Sequence, residues 1–210
     1  MPVAASGQRL LRYDRRLGAR LVAGVDEAGR GALAGPLVCA AVLFDYAVLR
    51  DRRVRPLAAL NDSKQLGRAE RERLLGAIVA AASAIAVQIV PAAQIDRAGL
   101  HRSNLDGLRR CLATLGSSAD LCLVDGFRLG PDAPAHRAVV HGDARSAAIA
   151  AASIVAKVTR DRLMARLAEQ YPEYGFGGHV GYITRAHEAA VRKHGPCPEH
   201  RRSFAAACFR

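Results

Sequence analysis

No two of the five cysteines, Cys39, Cys111, Cys122, Cys197 and Cys208, stand at a CxxC spacing, and an odd number cannot pair completely. That pattern excludes a disulfide framework and a zinc cluster and points to a reducing, cytoplasmic setting. Cys39 and Cys122 fall inside apolar runs, where a thiol serves as a small hydrophobe. The N-terminal stretch MPVAASGQRLLRYDRR lacks the apolar centre of a secretory signal. Neither an internal repeat nor a low-complexity linker interrupts the 210 residues, so the length favours one domain with at most a small appendage. Acidic residues are scarce: 19 Asp and Glu face 31 Lys and Arg, a formal charge of +12. So basic a chain attracts polyanions over a broad surface, which puts nucleic acid first among partners, ahead of an anionic membrane.

One stretch lacks charge altogether. Residues 74–95 carry none over a length that could cross a membrane. The run is mostly alanine, however, contains Gln88, Pro91 and Gln94, and turns from helix-like to the β-branched AIAVQIV. It is expected to be half helix and half strand, with no membrane span.

The remaining patterning suits an α/β chain. Apolar runs at 21–25 and 37–44, flanked by Gly and Pro, predict two strands joined by the loop containing DEAGRGALAGP. A helix is expected over 67–82, a third strand over 84–90, and a second helix over 103–115 with Ser103 as its N-cap and Gly116 at its end. Strands follow at 121–124 and 138–141. The longest helix, 147–169, is apolar on nearly every face in its first half and amphipathic in its second. A Gly-rich loop, YGFGGHVGY, then leads to a last helix over 184–194.

Asp26 and Glu27 end the first strand, Asp125 ends the fourth, and Asp143 closes the fifth just before the long helix. Open sheets place their sites at such strand ends. Four gathered carboxylates repel one another unless divalent cations neutralise them, and hard oxygen ligands suit Mg²⁺ or Mn²⁺. Metal-assisted phosphodiester chemistry is therefore expected. An Asp before Gly, as Asp125 stands in VDG, serves equally well to start a turn, so the surrounding strings must decide.

Those strings are DEAGRG, LNDSK, VDG, GDARS with AAASIVAKVTRDR, and YGF followed by HVGY and HRRSF, in this order over residues 21–204. Together they resemble ribonuclease HII. The related type HIII carries an extra N-terminal domain and lacks the GRG triplet, whereas Gly29, Arg30 and Gly31 are present here. The resemblance implies a ribonuclease H-like fold, a five-stranded mixed sheet flanked by helices, with an N-terminal arm (1–20), a catalytic domain (21–183) and a small helical C-terminal extension (184–210). It implies that Asp26, Glu27, Asp125 and Asp143 hold Mg²⁺ or Mn²⁺. Gly29, Arg30 and Gly31 would meet the backbone at the ribonucleotide, where small residues let main-chain groups approach the 2′-OH. Tyr182 would stack on the following deoxyribose, and Asn61 and Lys64 would form a phosphate-side pair. The implied partners are RNA/DNA hybrid and duplex DNA containing ribonucleotides, bound by a monomer without a membrane; the sequence shows nothing of a replication-clamp contact.

Three positions depart from the family pattern. Ala32 follows the triplet where proline is usual, Arg145 replaces a common lysine, and Val180 replaces the lysine usually found in HKGY. Arg145 still supplies a cation for phosphate, though a planar fork does not reproduce a lysine. Val180 supplies none. His179, His187 and His200 are not spaced as a metal triad and are expected to be structural. Two rival readings remain: a carboxylate exonuclease, which would need a free end, and a hybrid-binding module without turnover, against which all four carboxylates weigh.

Overall fold

The computed structural model describes residues 6–49, 55–61, 63, 66–204 and 207–209. Its centre is a five-stranded sheet of order β3-β2-β1-β4-β5, formed by β1 (Leu21–Ala28), β2 (Leu37–Asp45), β3 (Ala84–Val90), β4 (Leu121–Asp125) and β5 (Arg137–Val139). β1 pairs antiparallel with β2 and β2 with β3, while β1–β4 and β4–β5 are parallel, so the sheet is mixed, as the resemblance implied. The helices are α1 (Ser6–Arg16), α2 (Arg68–Ala81), α3 (Ala92–Ala98), α4 (Leu100–Gly116), α5 (Ala147–Gln170), the four-residue α6 (Phe176–His179) and α7 (Arg185–His194).

β2 is buried along all nine residues, as expected of a strand covered on both faces. One core lies between the sheet and α5, which brings Ile149, Ile154 and Val158 against Val22, Val42 and Leu123. The second lies on the opposite face, where Leu108, Cys111 and Leu112 of α4 meet Val25, Cys39 and Val124. α5 approaches β1 so closely that a Cβ at Gly24 would lie 2.1 Å from the Ala148 carbonyl carbon. The small residues AAIAAAS permit that approach, which explains a helix half apolar on every side. A third core lies outside the sheet and packs Leu33 and Ala34 against Met164, Phe176, Val191 and Cys197.

Several expectations need correction. The segment expected as an N-terminal arm carries α1, whose Leu10 and Leu11 are buried in the first core. Ser103 is no N-cap: α4 starts three residues earlier, after Gly99 with φ +81°, and Ser103 is buried inside it. Residues Ala92–Ala98, unassigned from the pattern, form α3, with Pro91 at its N-cap. The Gly-rich loop contains a 3₁₀ turn, Pro172–Tyr174, and α6. β5 ends at Val139, so Asp143 lies in a separate 3₁₀ turn, Gly142–Ala144, instead of closing the strand. Residues 74–95 are shared by α2, β3 and α3, and no helix among the described residues is long and apolar enough to cross a membrane. All five cysteines are buried and free.

Candidate active site

β1 and β4 run parallel with Val25 opposite Val124, so Asp26 and Asp125 emerge side by side at one level of adjacent strands. Side chains alternate along a strand, which directs both toward the α5 side of the sheet. There Ser153 of α5 lies beside the Asp26 carboxyl. Glu27, one residue on, starts from the opposite side of β1. Burial first, and then the charges of Glu27 and Asp125, raise the Asp26 pKa well above the usual carboxylate range. The Gly142 amide donates to Asp125 Oδ1 at 2.6 Å, which ties the turn holding Asp143 to the end of β4.

These carboxylates belong to an open cleft of about 660 Å³ lined by Asp26, Glu27, Asp125, the triplet Gly29 to Gly31, Ser63, Arg71, Ser153, Lys157 and Tyr182. Seven of the residues expected at the site thus share one cavity. Asp143 is buried beside Gly142 and does not line it. Asn61, half-buried, stands two residues before the cleft-lining Ser63. Arg145 faces a different cleft, and Lys64 lies outside the described residues.

The donor chemistry fits a divalent cation: all the candidate ligands are carboxylates, and the Asp26 pKa is raised first by burial and then by repulsion from Glu27 and Asp125, which bound positive charge would offset. No closed shell is preformed, since among the described residues no group of three or more acidic, histidine or cysteine side chains could hold one ion. Glu27 starts from the side of β1 away from Asp26 and Asp125 and lines the same cleft.

The loop after β1 is brought to Tyr182 by backbone bonds: the amides of Leu33 and Ala34 both donate to the Gly181 carbonyl, at 2.8 and 3.1 Å. On its other side Gly35 donates to Glu199 and Arg201 donates to Leu33, each at 2.8 Å. Two fully buried arginines, absent from the expected site, hold the loop from within. Arg160 of α5 donates to the carbonyls of Pro36 (2.9 Å) and Ala34 (3.2 Å), and its guanidinium lies 5.4 Å from the Tyr182 ring centroid. Arg201 donates to Gly35 through two nitrogens and to Arg30 at 2.9 Å. The strings KVTRDR and HRRSF contained both, but nothing in a charged run marks which arginine turns inward.

Arg160 also explains Gly29, where φ is +87° and a Cβ would lie 1.9 Å from the Arg160 Nε. Gly31 has open space instead. Val180 has φ +43°, rare for a β-branched residue, and packs partly buried on the third core, so the position that departs from HKGY serves packing.

The histidines form a buried chain. His187 Nδ1 donates to the Tyr182 carbonyl at 3.0 Å, which leaves its Nε2 to accept from His200 Nε2, also at 3.0 Å. His200 Nδ1 in turn accepts from the Cys197 amide. Both rings must be neutral for this arrangement, and burial lowers both pKa values, that of His200 to about 4.

The ribonuclease HII family model matches residues 23–207. The ribonuclease HII of Acidothermus cellulolyticus is 52% identical over 199 residues, covering 93% of this chain and 63% of that protein. That of Mycolicibacterium smegmatis is 50% identical over 203 residues, covering 95% and 72%. The solved ribonuclease H2 of Pyrococcus horikoshii OT3 is similar with a TM-score of 0.71 at 27% identity, over 90% of this chain and 95% of that one. The sheet and its helices thus have the ribonuclease H-like fold, and with nearly the whole chain matched this protein belongs to the ribonuclease HII family.

Proposed function

We propose that the chain is an endoribonuclease that hydrolyses the RNA strand of RNA/DNA hybrids and cuts on the 5′ side of a ribonucleotide embedded in duplex DNA. The observation that carries this is the shared cleft: Asp26 and Asp125 at one level of two parallel strands, with the triplet loop and Tyr182 lining the same cavity. Asp26, Glu27 and Asp125, with Asp143 behind them, would hold Mg²⁺ or Mn²⁺. When bound, such ions activate water and stabilise charge at the leaving 3′ oxygen, which gives 3′-hydroxyl and 5′-phosphate ends.

The chain's own residues account for position and selection. Gly29 to Gly31 present main chain where the 2′-OH would lie, and that group alone separates the two sugars. Tyr182, 39% exposed, offers its ring to the next sugar, where a ribose would place a second hydroxyl against it. Lys157 and Arg71 add cations to the wall, each tied to Asp161. Five buried thiols suit a cytoplasmic enzyme.

The test is a circular DNA duplex containing one ribonucleotide, incubated with and without Mg²⁺. Nicking only with the metal is expected. An exonuclease would leave the circle intact, and a binding module would retain it without cutting.

A further inference from the structure

Outside the catalytic cleft, arginines are concentrated along α1. Its buried face consists of Gly7, Leu10, Leu11 and Asp14, and the same i, i+3, i+4, i+7 spacing places Arg9, Arg12, Tyr13 and Arg16 on the other side. The helix is firmly seated. Asp14 accepts from the Ala148 amide in the first turn of α5 (2.9 Å) and from the Tyr46 hydroxyl (2.7 Å), while Ser6 donates to the Leu60 carbonyl (2.7 Å). This seating sets the basic face against the turn that carries Asp143. Arg9 reaches the Ala144 carbonyl, and the Arg145 guanidinium lies 5.5 Å from the Tyr13 ring centroid. The result is an open cleft of about 400 Å³ lined by Arg9, Arg12, Tyr13, Arg16, Ala144 and Arg145.

Four guanidiniums from two distant parts of the chain converge here, and among the described residues no acidic one joins the lining. Arg20, Arg71, Arg73, Arg102, Arg109 and Arg162 all take part in ion pairs, whereas among the described residues none of these four does. Converging cations that lack carboxylate partners are stabilised by an outside anion, and planar forks suit phosphate oxygens. The position indicates which anion. The triplet loop leads to β2, on one side of the β1–β4 pair, and the turn Gly142–Ala144 follows β5, on the other. A duplex laid over the strand ends would therefore leave the triplet on one flank and reach Arg145 and α1 on the other.

We propose that α1 and Arg145 form a second binding site, for the phosphodiester backbone of the substrate duplex away from the ribonucleotide, so that α1 acts as an electrostatic extension of the groove. This rests on the nuclease reading above. The site recognises charge and spacing without base preference, and it contributes affinity instead of chemistry.

The test replaces Arg9, Arg12 and Arg16 together by Gln, and in a second variant by Lys, and measures kcat and KM on duplexes with one ribonucleotide, lengthened stepwise on either side. On long duplexes at low salt, the Gln variant should raise KM at least tenfold with kcat within twofold. Its slope of log KM against log salt should be shallower by roughly two to three, since each lost phosphate contact removes about 0.9. The Lys variant should keep the wild-type slope. On the shortest cleavable duplexes all three proteins should converge, because the backbone no longer reaches α1. Wild-type KM and slope for the Gln variant at every length would overturn the site while leaving the nuclease reading intact. Equal losses in the Gln and Lys variants would show packing in place of charge and overturn it too. A wild-type protein that cleaves none of these duplexes would remove both readings together.

Discussion

Asp26 is buried beside two other carboxylates, and its raised pKa reflects a charge that the fold tolerates poorly without a cation. Replacing Asp26 or Asp125 by Asn should abolish Mg²⁺-dependent cleavage, since a neutral amide is a weak ligand for a hard cation. The Asn oxygen at 125 still accepts from the Gly142 amide, so melting without metal should occur at or above the wild-type Tm. Activity within tenfold of wild type would remove the residue from the metal site. Asp143→Asn should be milder, because Asp143 does not line the cleft. Tyr182 and Tyr171 make a second comparison: Tyr182 is exposed over Arg160, whereas Tyr171 packs partly buried on the third core. Tyr182→Ala should cut the rate on a single embedded ribonucleotide far more than Tyr171→Ala and narrow the preference for an RNA-to-DNA junction over uniform hybrid. Full activity with unchanged junction preference would rule out stacking on the sugar. The sequence strings identified Tyr182 but not Arg160 beneath it, because a side chain's inward turn depends on which carbonyls lie nearby after folding.

At the scale of elements, α1 is held by one buried carboxylate at the start of α5. Asp14→Ala would leave the Ala148 amide and the Tyr46 hydroxyl without their acceptor, at a cost of about 1–3 kcal/mol. For a chain of this size that corresponds to a fall in Tm of roughly 5 °C. Unchanged melting would show that Leu10 and Leu11 alone seat the helix. The segment around α7 makes a different prediction. His187 and His200 are neutral in the fold, with pKa values below the ordinary 6.5, that of His200 at about 4. The unfolded chain therefore binds more protons through this window. Stability from the pair is complete above about pH 6.5 and is lost as the pH falls toward 4. Melting at pH 7.5, 6 and 5 should show Tm falling stepwise, and a Tm that stays level or rises would contradict neutral rings. α1 was missed in the pattern because its four-residue buried face is framed by arginines, and α3 because it follows directly on β3 without a turn.

For the whole molecule, a charge of +12 favours polyanions in general, while the fold decides how that charge is divided. Arg160 and Arg201 turn inward to hold a loop, Arg71 and Lys157 line the cleft, and Arg9, Arg12, Arg16 and Arg145 form a separate basic wall. Chelation with EDTA should stop cleavage and leave salt-sensitive binding through these cations, which filter retention at rising salt would measure. Loss of binding together with cleavage would mean that affinity resides in the metal and not in the basic surfaces. Local order was legible in advance because it depends on neighbours in the chain: apolar runs of strand length, the small-residue half of α5, and Asp125 at the end of its strand. The family strings added the fold class. The tertiary structure alone decided that Val25 aligns with Val124 to set Asp26 beside Asp125, that Glu27 departs on the other side, and that Gly181 receives the triplet loop. The β1–β4 pairing and the long-range hydrogen bonds join residues about a hundred or more positions apart, and no local pattern carries a partner's identity across that distance.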